Sequence, residues 1–234
     1  MNSTSEVTYG ARIANAGKVR DAISMFQNYS PPRATETIVE YDALIGVTSA
    51  ANLAVTVDIN SYNSAVKLRS GAFRSNTISV VKLLAPIAAS VKAMYGKDSR
   101  EATSIMTMTN KMRATKPVEA TNPDGTIRTI SQSEQSYGSL TLAFKSIIAT
   151  LSNFNGYNPS RAELKIAALT AFSNSLDTLN QNVNLTFNKL TDSRTVRNDN
   201  YAELKSRTER IKAYTLSEYG NNSSEHKQIK GLKV

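Results

Sequence analysis

The chain has no cysteine, no tryptophan and one histidine, and only ten glycines and six prolines among 234 residues. Without cysteine it has no disulfide, thiolate nucleophile, cysteine-held iron–sulfur cluster or cysteine–zinc site. The absence fits a reducing cytoplasm, as does an opening (Met1-Asn2-Ser3-Thr4-Ser5-Glu6) that is polar and acidic rather than basic and then apolar. The one histidine, His226, lies in the basic tail Glu225-His226-Lys227-Gln228-Ile229-Lys230-Gly231-Leu232-Lys233 and reads as a surface residue. No Ser–His–Asp or Cys–His set can be built without a histidine positioned by the fold. No Walker loop and no G-x-G-x-x-G is present. The chain is therefore expected not to be an enzyme, with no catalytic residue, no cofactor and no metal ligand assigned.

Two acidic sets come nearest to a metal site. Glu36 and Glu40 lie four apart, but no Glu-x-x-His partner joins them, and they read as solvated surface. Asn122, Asp124 and Thr126 resemble the start of a calcium loop, yet the twelfth position is Ser133 instead of a bidentate Glu.

What the chain does contain is repetition. Ser3-Thr4-Ser5-Glu6-Val7-Thr8-Tyr9-Gly10 returns as Ser131-Gln132-Ser133-Glu134-Gln135-Ser136-Tyr137-Gly138. Phe26-Gln27-Asn28-Tyr29-Ser30-Pro31 returns as Phe154-Asn155-Gly156-Tyr157-Asn158-Pro159, at the same offset of 128 residues that takes Tyr9 to Tyr137. Further on, Tyr95-Gly96-Lys97-Asp98-Ser99 returns as Tyr219-Gly220-Asn221-Asn222-Ser223, where the offset has fallen to 124. An internal duplication predicts two copies of one supersecondary plan. The copies are expected over residues 1–114 and 131–234, joined by a linker over 115–130 and packed as one bundle.

Apolar spacing predicts the plan to be helical. Ile38, Tyr41 and Ile45 recur at three and four residues, as do Leu164, Ala168, Phe172, Leu176 and Leu179. The fold class is expected to be all-α: an elongated, pseudo-twofold bundle of two tandem repeats, each of three helices plus a short fourth. The first helices run from about Tyr9 to Asn28 and from Tyr137 to Asn155. The second begin near Arg33 and Arg161 and end around Ser70-Gly71 or Ser75-Asn76, and around Asn198-Asp199-Asn200. The third end at Tyr95-Gly96 and Tyr219-Gly220, where glycine suits the left-handed closing residue. Ser99 and Ser223 then cap the short fourth helices. Pro86 should bend the third helix of the first repeat. Ala50, Ala51, Ala54, Ala88 and Ala89 should let helices approach closely. Asn122-Pro123-Asp124-Gly125 marks a turn in the linker, which has room for a small hairpin.

Tyrosines and phenylalanines mark the helix ends: Tyr9, Phe26, Tyr29 and Tyr95, with Tyr137, Phe154, Tyr157 and Tyr219. They read as anchors with buried rings and wet hydroxyls; the competing reading is a set of stacking platforms for single-stranded nucleic acid.

Three functions remain. The first is a structural or scaffolding protein that works through helix faces, with copies of itself or another helical protein as partner. The second is a polyanion-binding module, nucleic acid included, motivated by a net charge of +9. Its candidate contacts are Lys67, Arg69 and Arg74 at one corner, Lys189, Arg194 and Arg197 at the other, and Lys227, Lys230 and Lys233 in the tail. Positive charge also stabilises a helix C-terminus, which gives the two corners a purely structural use. The third is a membrane-active helical protein, motivated by the uncharged run from Ala43 to Val57 and the apolar segment from Ile78 to Ala93. Lys82, Pro86 and Lys92 interrupt that segment, and no run reaches about 18 apolar residues.

Overall fold

The computed structural model describes residues 8–113, 118–121, 127–130 and 136–234. Among them it has seven α-helices: α1 (Tyr9–Met25), α2 (Ile38–Ser70), α3 (Val80–Tyr95), α4 (Arg100–Met112), α5 (Tyr137–Ser152), α6 (Ile166–Tyr219) and α7 (Ser224–Ile229). One antiparallel hairpin, β1 (Val118–Thr121) with β2 (Ile127–Ile130), sets Val118 opposite Ile130 and Thr121 opposite Ile127. The fold is otherwise helical, as the spacing predicts. The Asn122–Gly125 turn, the loop residues Asn122, Asp124, Thr126 and Ser133, and the repeated segments 3–7 and 131–135 lie outside the described residues.

Hydroxyl caps start four of the helices. The side chains of Thr8, Ser99, Ser136 and Ser223 accept the amides of Ala11, Ala102, Ser139 and His226 at 3.1 to 3.2 Å. Each such cap is worth about 1 kcal/mol. Gly96 and Gly220 close α3 and α6 with φ of 96° and 92°, conformations that a side chain would strain. The proline corners are followed by short 3-10 turns, Ala34–Glu36 and Ala162–Leu164, so α2 and α6 begin at Ile38 and Ile166 rather than at Arg33 and Arg161. Tyrosine hydroxyls hold these corners: Tyr29 donates to the carbonyl of Glu36 at 2.8 Å, and Tyr157 to that of Leu164 at 3.2 Å.

The sequence reading places a helix end at Asn198-Asp199-Asn200, and the structure corrects it. Helix α6 runs unbroken for 54 residues. Asn and Asp disfavour a helix only by tenths of a kcal/mol each, and no glycine or proline accompanies them. The first half does break. Helix α2 gives way at Ser70 to a π-helical turn, Gly71–Ser75, and the helix resumes at Val80. A Cβ on Gly71 would sit 2.7 Å from Oδ1 of Asn76, so a larger residue there would have to displace the Asn76 side chain. From Ile38 to Tyr95 is 58 residues, four more than α6. The difference equals the drop in sequence offset from 128 to 124.

The chain divides into two compact units. The first holds residues 1–62 and 187–234, the second residues 63–186. The units are not the sequence halves. Each combines the first helix of one half with the last helices of the other, and α2 and α6 contribute to both. In the first unit the core is Ala16, Val19 and Ile23 of α1 with Tyr41, Leu204, Ile211 and Ile229. In the second, Phe73, Leu84, Ile87 and Val91 pack with Ile105 and Met112 of α4 and Phe144, Ile147 and Leu151 of α5.

Three expectations about burial change. Glu36 is buried, in the turn before α2, while Glu40 is exposed. His226 is buried rather than a surface residue, because the tail coils into α7 and places it three residues before the core side chain Ile229. Of the close-approach alanines only Ala51 is buried; Ala50, Ala54 and Ala89 are exposed and Ala88 is half-buried.

Candidate functional site

The two basic corners fall in different units, and the structure gives most of their charges a structural partner. In the second unit the Arg69 guanidinium lies 4.2 Å from the centre of the Tyr137 ring, with Arg74 at 5.9 Å. Phe73 meets that ring edge-on at 4.9 Å. The first unit repeats the motif 128 residues away. Arg197 lies 4.1 Å from the Tyr9 ring, and Tyr201 packs on Tyr9 at 4.8 Å. In both places an arginine on a long helix clamps the tyrosine that starts a neighbouring helix. A cation over an aromatic face contributes about 0.5 to 2 kcal/mol. The Nε atoms of Arg69 and Arg197 are buried with no hydrogen-bond partner.

Lys189 reaches Asp58 at 3.0 Å, and Asp58 is buried. Its charge balances a carboxylate that would otherwise be desolvated alone. Lys67 and Arg194 are exposed.

The aromatic helix ends pack on neighbouring rings, and the hydroxyls of Tyr9, Tyr29, Tyr95, Tyr157 and Tyr219 are bonded to the chain. Tyr95 donates to the Asn155 carbonyl at 2.9 Å, and Tyr219 to the Gln27 carbonyl at 2.8 Å. Each ring meets a phenylalanine edge-on at 5.6 Å, Phe154 for Tyr95 and Phe26 for Tyr219. Burial raises the pKa of Tyr29, Tyr95, Tyr157 and Tyr219 above the ordinary phenol value.

The tail lysines come together with charges that sequence spacing does not connect. In the first unit Lys230 and Lys233 face Arg12 of α1 and Lys205 and Lys212 of α6 across a cleft of about 630 Å³. Glu209 is the acidic side chain in this lining, 3.9 Å from Lys205. Two side chains tie the tail in place: Asn15 donates to the Lys233 carbonyl at 2.8 Å, and the Lys212 ammonium to that of Leu232. Burial lowers the Lys212 pKa below the usual lysine value. Lys227 is exposed on α7, apart from the cleft lining. Arg12, Lys205 and Lys212 are the residues that sequence reasoning misses. The seven-residue spacing of Lys205 and Lys212 puts them on one helix face, but nothing in the sequence brings the tail or Arg12 to it.

The other surface feature is the outer face of α2 in the first unit. Ala43, Val47, Ala50, Ala54 and Val57 follow one another at three- and four-residue steps, Leu53 stands beside Ala54, and all are exposed. Tyr41, Thr48, Ala51, Val55 and Asp58, on the opposite face, are buried. An 18-residue window within Ile38–Tyr95 has a mean hydropathy of 1.5, sufficient by length and composition to cross a membrane, and 33% of it is buried. Among the described residues no three His, Asp or Glu side chains gather into a group able to hold a metal ion.

No protein-family model, curated protein or solved structure matches the chain.

Proposed function

We propose that the protein is a non-enzymatic structural or scaffolding element that works through helix-face contacts, chiefly with copies of itself. The outer face of α2 carries this reading. The run between Asp42 and Asp58 contains no charge. Val47, Leu53 and Val57 stand 56%, 66% and 52% exposed on one broad face. Fully burying a valine or leucine contributes about 1.5 to 3 kcal/mol, so a partner that covers this face gains several such terms. The small residues between them, Ala43, Ala50 and Ala54, permit a close helix approach.

The same reading takes the chain as a duplicated helical plan whose copies have exchanged ends. The paired tyrosine anchors, the paired arginine clamps and the four-residue difference in length support it.

Sedimentation analysis over a wide concentration range tests the proposal. The native chain should self-associate. Val47→Glu with Leu53→Glu should give a folded monomer, since both side chains are already in solvent. A native chain that stays monomeric throughout, or that pellets with liposomes as a monomer, would refute it.

A further inference from the structure

We propose that the basic cleft of the first unit is a binding site for a compact, phosphate-rich anion of the di- or triphosphate type. The inference is independent of self-association through α2.

Its first support is convergence. Five cations reach the cleft from three separate segments: Arg12 from α1, Lys205 and Lys212 from α6, and Lys230 and Lys233 from the tail. Lys205 and Lys212 are two helical turns apart, about 10 Å along the axis, so they flank the cleft instead of crowding one point. Two anions share the lining, the Glu209 side chain and the Val234 carboxylate of this chain, and they leave three positive charges in excess. Like charges around a shared hollow repel one another, and a bound polyanion relieves that repulsion.

The second support is preorganisation. The bonds from Asn15 and Lys212 to the tail carbonyls fix residues 232 and 233, and with them the lysines alongside. Tyr201 holds Arg12 as well: its carbonyl accepts from the guanidinium at 3.3 Å, and its ring lies 4.6 Å from the guanidinium carbon. A partly desolvated ammonium at Lys212, whose burial disfavours the charged form, is the group that gains most from a neighbouring anion.

Size and layout select the ligand. A hollow of about 630 Å³ lies within the ordinary range for small-molecule sites. A nucleic-acid backbone needs cations along a track, whereas these surround a single cleft. One carboxylate would leave most of the cations unanswered. A phosphoanhydride chain concentrates several charges and many acceptor oxygens, suited to an arginine fork and lysine point charges. Inorganic triphosphate and the triphosphate of a nucleotide share this chemistry.

Calorimetric titration of the full chain at about 0.15 M salt, where surface charges are screened beyond roughly 8 Å, tests the site. The probes are inorganic tripolyphosphate, a nucleoside triphosphate and a short single-stranded oligonucleotide. Tripolyphosphate should bind, and the nucleotide should compete with it. Lys205→Gln with Lys230→Gln, both exposed, should weaken tripolyphosphate at least about tenfold, roughly 1.4 kcal/mol. Glu209→Gln should tighten it, and Lys111→Gln on α4, in the other unit, should leave it unchanged. Circular dichroism confirms that each variant is folded. No binding at millimolar tripolyphosphate overturns the proposal. So does equal weakening by the cleft and control variants, which would mean diffuse charge. Binding of the nucleotide without tripolyphosphate would put the grip on the base, and tighter binding of the oligonucleotide per phosphate would indicate a track; either result overturns it too.

Discussion

Glu36 and Arg210 form an ion pair at 2.5 Å in the first unit, with the Glu36 side chain 4% exposed and that of Arg210 32% exposed. Glu203 stands 3.5 Å from the same guanidinium. At the matching offsets in the second unit the two positions are Leu164, which is buried, and Pro86, inside α3. In the first unit the proline corner before α2 is thus joined to α6 by charge, whereas in the second the corresponding corner residue, Leu164, belongs to the apolar core. Breaking a buried pair from one side leaves an uncompensated carboxylate. Arg210→Met should therefore cost about 2 to 3 kcal/mol, below the fully buried range because the arginine keeps some solvent. Glu36→Leu together with Arg210→Met should recover most of that loss. Urea unfolding of the three variants measures both, and a double variant no more stable than Arg210→Met alone would show that the positions are not interchangeable.

The arginine clamps separate a structural role from a polyanion role. Arg197→Met should lower stability by about 1 kcal/mol through loss of the contact with the Tyr9 ring. Arg69→Met should do the same through Tyr137. Neither change should alter tripolyphosphate binding, since neither residue lines the cleft. A variant with unchanged thermal stability but weaker anion binding would reverse this assignment.

Much of this was legible in the sequence, and the limits have physical causes. Helical spacing, proline corners and terminal glycines act within a few residues, so the element list followed from them. Serine and threonine caps also act locally: Ser99 and Ser223 cap as expected, and Thr8 and Ser136, which the sequence reading did not name, cap in the same way. The pairing of α1 with α7 is long-range, and no local pattern encodes it. That is why His226, in a run of basic residues, read as surface although it is buried. It is also why the cleft was half visible. Lys230 and Lys233 stood out as tail charges, while Arg12 and Lys205, far apart in the chain, had no reason to be joined to them. The unbroken α6 was missed because Asn198-Asp199-Asn200 looks like a stop, although each residue only mildly disfavours helix.

Tyr41 predicts an alkaline weakness. Its ring is fully buried, its hydroxyl shares a 2.6 Å hydrogen bond with Thr208, and burial pushes its pKa from 10.0 up to about 12. The folded value is raised, so the contribution is fully present below the unfolded pKa and is lost as pH rises through the folded one. Stability should fall between pH 10 and about pH 12, by about 2 to 3 kcal/mol for this residue. Tyr41→Phe should be less stable at neutral pH by the lost hydroxyl bond, about 1 kcal/mol, but flatter through that window. Denaturant midpoints followed from pH 9 upward decide it; parallel curves for both proteins would mean that Tyr41 does not control the transition.

Gly71 lets the Asn76 side chain pack against the break in the first half. The native turn needs the space where a Cβ would approach Asn76 Oδ1 at 2.7 Å, and the Asn76 amide donates to the Gly71 carbonyl at 2.9 Å, closing the π-helical turn. Gly71→Ala pushes in two directions. It strains the turn, by about 1 to 3 kcal/mol if the backbone must shift, and it removes a residue that disfavours continued helix by about 1 kcal/mol. The core residues Phe73 and Val80 flank the break and both pack in the second unit, so the chain cannot simply straighten. Net destabilisation is the expected outcome. Asn76→Ala removes the obstructing side chain and should restore part of the loss when combined with Gly71→Ala, a coupling that a double-mutant cycle reads directly. Strict additivity of the two changes would show that the contact between these residues does not set the turn.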